Sequence, residues 1–148
     1  MRGITLLEML VAMGILIIAA TMIESVFSNF SDSGKLIEAH SGLIGVLRDA
    51  RSRTLASESS SNYGVHFQSD RAILFRGNTY NAADPANEAY VLSGRSEIGA
   101  IALSGGASDL IFTRLHGTTT ASGTITIRST NNPSKTRIIT ILPSGGVQ

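Results

Sequence analysis

The 148-residue chain contains no cysteine, which excludes a disulfide framework and any thiolate metal site. A reducing compartment and an exported protein that relies on its core both fit that absence. Charge is scarce too. Asp, Glu, Lys and Arg make up 16% of the residues and nearly cancel, leaving a net charge of +1, so no global field draws the chain to nucleic acid or acidic lipid. The three histidines, His40, His66 and His116, lack a second histidine at metal-ligand spacing. His66 falls on the polar side of an alternating run and reads as a solvent-face residue. Ser59-Ser60-Ser61 has no Gly-x-Ser-x-Gly context. Gly105-Gly106 opens neither a GxGxxG motif nor a helix. The sequence therefore offers no catalytic constellation and no cofactor or metal site, and it reads as a non-enzyme.

What charge there is avoids the first thirty positions, which carry only Arg2, Glu8 and Glu24. From Ile4 to Ile23 the single charge is Glu8. As a helix, about 20 residues at 1.5 Å each reach roughly 30 Å, the thickness of a hydrocarbon core. Leu6, Leu7, Met9, Leu10, Ala12 and Met13 favour helix over strand. Arg2 before the run places the N-terminus in the cytoplasm by the positive-inside rule. Composition alone admits a secretory signal peptide, a plain membrane anchor or a buried core helix. Glu8 separates them, because an acid at the centre of a membrane helix costs about 2.5–3.5 kcal/mol and is kept for a reason. Near a helix N-terminus it suits the macrodipole. If the chain is cut after Gly3, Ile4 carries a free amine one turn from Glu8, and the same amine on a neighbouring molecule can reach it. Each charge would then offset part of the other's desolvation.

The stretch Gly3-Ile4-Thr5-Leu6-Leu7-Glu8-Met9-Leu10-Val11 resembles the class III signal of type IV pilins and of the pseudopilins of type II secretion. That signal is a basic leader ending in glycine, a first mature residue that is usually phenylalanine, then Thr-Leu-Ile/Leu-Glu and an apolar run. The resemblance implies cleavage between Gly3 and Ile4 by a prepilin peptidase, N-methylation of Ile4, and an assembly role for Glu8. Ile4 stands where phenylalanine is usual, and the leader is only Met1-Arg2-Gly3.

Beyond the apolar run, Leu36, Leu43, Leu47 and Ala50 recur at helical spacing, and Ile37 and Ile44 widen the stripe. Arg48, Asp49, Arg51 and Arg53 fall mainly on the other side and read as a solvated face, with Asp49 and Arg53 at i,i+4. Ser31-Asp32-Ser33-Gly34 marks a soft spot in one long helix, which ends near Ser57. The period then changes to two. Tyr63–Phe67, Ala72–Arg76, Tyr90–Leu92, Glu97–Leu103, Leu110–Thr113, Gly123–Arg128 and Arg137–Leu142 read as strands, and Asn78–Glu88 as a loop. The fold class is α+β: a long N-terminal helix, its first half transmembrane, packed on an antiparallel β-sheet head, one sheet face covering the stripe. The domains are a leader (1–3), a hydrophobic transmembrane and assembly helix (4–29) and a globular head (30–148), helical to about residue 57 and β-stranded after it.

A second resemblance covers most of the chain. Leu47-Arg48-Asp49-Ala50-Arg51-Ser52 followed by Tyr63-Gly64-Val65-His66-Phe67 is similar to the minor pseudopilin H of type II secretion and to FimT-type minor pilins. Ile111–Gly117 with Gly123–Ile127, and Arg137–Ile141 with Gly145-Gly146-Val147, look like their later strands, although Arg114 stands where those relatives have proline. The resemblance implies a minor subunit of a type II secretion pseudopilus or a type IV pilus. Its partners would be the prepilin peptidase, other pilins through the N-terminal helix, and the bacterial inner membrane. It would cross that membrane once, N-terminus cytoplasmic and head periplasmic, before entering the filament. The alternative is a minor pilin that captures DNA during uptake. The cations available for it are Arg128, Lys135 and Arg137, flanking the Ser129–Ser134 turn, and three cations are few for phosphate binding.

Overall fold

The computed structural model describes residues 5–148, apart from the side chains of residues 21–29. Helix α1 (Leu6–Leu55) begins at Thr5, whose side chain accepts the Glu8 N–H at 3.3 Å. The cap satisfies one of the amide groups that a helix start leaves unpaired. The helix runs unbroken through Ser31–Gly34, where the sequence predicts a soft spot. Asp32 is buried there and accepts hydrogen bonds from Arg95 and Asn131. A side chain that would otherwise compete for its own backbone is satisfied by distant partners instead. The helix ends two residues before the expected Ser57. Ser57, Ser59 and Ser60 then take left-handed conformations (φ 54°, 50° and 53°) around a 3-10 turn (Glu58–Ser60).

Seven strands follow: β1 (Tyr63–Phe67), β2 (Arg71–Arg76), β3 (Glu88–Val91), β4 (Ser96–Leu103), β5 (Asp109–Phe112), β6 (Gly123–Ser129) and β7 (Thr136–Ile141). Each lies within about two residues of its predicted bounds. They form two antiparallel sheets rather than the single one expected, with orders β3-β2-β1-β5 and β4-β6-β7. One bond between the sheets runs from the Ile98 N–H to the Ser69 carbonyl at 2.8 Å. Both sheets lay an apolar face on α1. The helix contributes Leu36, Ala39, Leu43, Leu47 and Ala50, and the strands contribute Val65, Leu74, Leu110, Ile125, Ile127, Ile139 and others. Ala39 takes the place in the stripe expected of Ile37, which remains 48% exposed. Gly42 admits the Tyr90 ring, which a Cβ at that position would overlap.

Two arginines expected on a solvated face are structural ties. Arg51 donates to the carbonyls of Gly117 and Ser144 at 3.2 and 3.4 Å. Arg53 joins Asp49, as its spacing implies, and also Glu88 at the start of β3. The Arg53 guanidinium holds the Glu88 carboxyl below its usual range. The pair's contribution is thus present above the unfolded carboxylate pKa and is lost as pH falls through the lowered value.

The transmembrane first half of the helix requires correction. Among the described residues no helix is long and apolar enough to cross a membrane. The described N-terminal stretch carries the charge of Glu8, and residues 30–38 bring Asp32, Lys35 and Glu38. The α+β class stands, without a membrane-spanning half among the described residues. The single-pass inner-membrane placement, N-terminus inside and head in the periplasm, is withdrawn with it.

Thr54 joins the helix end to the sheet. It is fully buried, donates to the Ala50 carbonyl at 2.8 Å and accepts the Tyr63 N–H at 3.1 Å. Thr54→Val keeps the shape but leaves that amide unpaired, so a loss of about 1–3 kcal/mol is expected. Urea denaturation of a fragment spanning residues 30–148 measures it. That fragment should itself be monomeric, with mixed helix and strand by circular dichroism, because the described buried residues lie between Asp32 and Gly145.

Candidate assembly surface

Every described side chain of α1 before residue 21 is exposed. Ten large apolar side chains between Leu6 and Ile18 are each at least 55% exposed, Leu6 reaching 81%. A helix apolar on all sides belongs in an apolar or protein environment, and an apolar patch of this extent marks an interaction surface. The head contributes nothing to covering it. Glu8 sits in the first turn of this rod and is exposed. It is an acid among apolar side chains, at the end of the helix where the macrodipole favours negative charge. Gly3 and Ile4, the expected cleavage and methylation positions, lie outside the described residues.

Where the rod meets the head, two turns grip the helix. Arg95, between β3 and β4, reaches Asp32 Oδ1 at 3.4 Å and Ser31 Oγ at 3.2 Å. Asn131, in the β6–β7 turn, reaches Asp32 Oδ1 at 3.1 Å. Lys135 in the same turn reaches Ser33 Oγ at 3.5 Å. A lone buried Asp in a helix with distant Arg and Asn gives no local signal, so sequence reasoning misses this collar. The Thr5-x-x-Glu8 spacing at the helix start, by contrast, is a legible capping signature.

The three cations proposed for nucleic acid do not form one patch. Arg128 lies on the face of β6 away from the helix, across Gly99, and pairs with Glu97 at 2.6 Å. Arg137 stands on the helix-facing side of β7, in register with Ile127, and lines a groove with Lys135 and Ser33. The sheet separates Arg128 from the other two.

The remaining polar candidates are structural. His66, expected on a solvent face, is half-buried. Tyr80 from the loop between β2 and β3 stacks on it with ring centroids 4.0 Å apart, and its Nδ1 meets Asp109 of β5. The loop therefore covers the outer face of the four-stranded sheet. His116 Nδ1 lies 3.2 Å from the carbonyl of Arg114 in the turn after β5. Among the described residues no group of three histidine or acidic side chains could hold a metal ion.

No family model matches the chain, and neither a curated protein nor a solved structure matches it.

Asp32→Ala should cost about 1–2 kcal/mol, since its bonds to a charged partner count for more than neutral ones but Arg95 is half in solvent. Asp32→Asn, which retains an acceptor, should lose less. Urea titration of both variants beside the parent measures the difference.

Proposed function

We propose that this chain is a minor subunit of a pilin-like filament, of the kind that serves type II secretion or forms a type IV pilus, held in the filament by the first part of α1. One observation carries the reading. A single helix is sealed into a completed head along Leu36–Ala50 and yet presents apolar side chains on all sides from Leu6 to Ile18. The head needs none of those side chains for its own core, so their use lies in association. Copies of the same rod, or the rods of related subunits, supply a matching apolar surface. Glu8 is then the register device: its carboxylate meets the Ile4 amine of a neighbour, and the pair forms only when the rods are correctly staggered. The resemblance of Gly3–Val11 to the class III signal supports the same reading. The DNA-capture alternative is not adopted, because Arg128 is paired with Glu97 and divided by the sheet from Arg137.

Mass spectrometry of the protein isolated from its cells should find an N-terminus at Ile4 carrying one methyl group. An intact Met1, or a cut near Ala20, would overturn the reading. Gly3→Leu should leave the precursor uncut. Glu8→Ala should still be cleaved, because the residues at the cut are unchanged, but crosslinking to partner subunits should fall several-fold at equal expression. A buried amine left without its acid costs about 3–5 kcal/mol. Undiminished crosslinking of Glu8→Ala would remove Glu8 from assembly.

A further inference from the structure

Eighteen residues make five turns of an α-helix, so Ser33 and Arg51 share one flank of α1, with Ile37, His40 and Ile44 along the same line. Arg51 reaches the Ser144 carbonyl, and Ser33 faces Lys135. This flank therefore runs beside β7, an edge strand. The upper half of that edge is already paired. The last residues bridge Ile141 to Val147, and Thr140 and Gln148 exchange N–H···O bonds of 2.8 and 3.0 Å. Val147 there is half-buried and packs against the core.

Beyond the pairing with Val147-Gln148, the seam is open among the described residues. In an antiparallel strand alternate residues aim their N–H and C=O to the same side. Thr140 aims its pair away from β6, so Ile138 and Thr136 do as well, and neither has a backbone partner on that side among the described residues. Between this half-edge and α1 lies a groove of about 340 Å³ lined by Ser33, Leu36, Ser134, Lys135, Thr136 and Arg137. Its lining holds two cations and no acid. Arg137 has no ion-pair partner among the described residues. Ile138 on the strand is 57% exposed. Other edges are protected: residues 118–120 cover β5, β4 carries a bulge between Ile98 and Ala100, and β3 has only four residues. Proteins commonly blunt exposed edges in such ways.

We propose that the lower half of β7 is a strand-addition site for an extended segment of a partner protein that alternates apolar and acidic residues. The segment lies antiparallel to β7, in line with Val147-Gln148. It exchanges backbone hydrogen bonds with Thr136 and Ile138. It sets apolar side chains beside Ile138 on the outer face of the sheet, and carboxylates between Lys135 and Arg137 on the helix-facing side. Main-chain bonds supply affinity and the alternate side chains supply specificity.

The test uses the full chain dispersed in detergent and a capped hexapeptide alternating valine with glutamate. Amide hydrogen exchange should slow at Thr136 and Ile138 when peptide is added, with no change at Ile125 and Ile127. Ile138→Pro removes only the outward-facing N–H, a place where an edge strand tolerates proline, and should weaken binding at least tenfold. Arg137→Glu should weaken it similarly and transfer preference to a peptide with lysine in place of glutamate. If Ile138→Pro fails to fold, a peptide N-methylated at the amides facing β7 tests the same bonds from the other side and should not bind. No added protection at Thr136 and Ile138, or equal binding of the N-methylated peptide, overturns the proposal. So does protection that rises with protein concentration in the absence of peptide, which would assign the edge to a second copy of this chain.

Discussion

Burial of one stripe on α1, from Leu36 to Ala50, is the contact on which the head depends. A sheet of three or four short strands needs a partner for its apolar face. Here two such sheets share one partner instead of facing each other. The alanines in the stripe, Ala39 and Ala50, are fully buried and bring the strands close to the helix axis. Gly42 does the same for the ring of Tyr90 on the flank. The helix is thus the common wall of both layers.

That wall is fixed at two heights. Thr54 ties its C-terminal end to β1, and Asp32 ties it to the turns at the opposite end. A helix held at both ends of its buried segment leaves the head in one direction only. The exposed rod from Leu6 to Ile18 inherits that direction. In the filament reading this matters more than the identity of any one apolar side chain, because rods converge on a shared axis only if each head holds its rod at the same angle.

Much of this was legible before any coordinates. The change of period from 3.6 to two near Ser57 separates helix from strands, and four of the five buried stripe residues follow from spacing alone. The division into two sheets was not legible. Alternation tells which side chains face inward and is silent on which strands are neighbours. Polar ties such as Asp32 with Asn131, or Arg53 with Glu88, join residues far apart in the chain and leave no local pattern. His66 was assigned to the outer face and does lie there. That face is roofed by a loop whose sequence has no periodicity to announce it, so its exposure was misjudged.

The chain's order of synthesis adds a consequence to the pairing of Val147-Gln148 with β7. The stripe at Leu36–Ala50 is made early, and the strands that cover its second side, β6 and β7, come last. At about 5–20 residues per second, some 5–20 s separate the stripe from the residues that seal it. Until β6 and β7 are made, the rod and one side of the stripe stay apolar and uncovered. The nascent chain therefore presents an apolar helix until the second sheet closes on it, and a delay in making β6 and β7 prolongs the hazard. Factors that shield nascent chains would act on this protein along α1, while closure of the head waits on β7 and the Val147-Gln148 pairing.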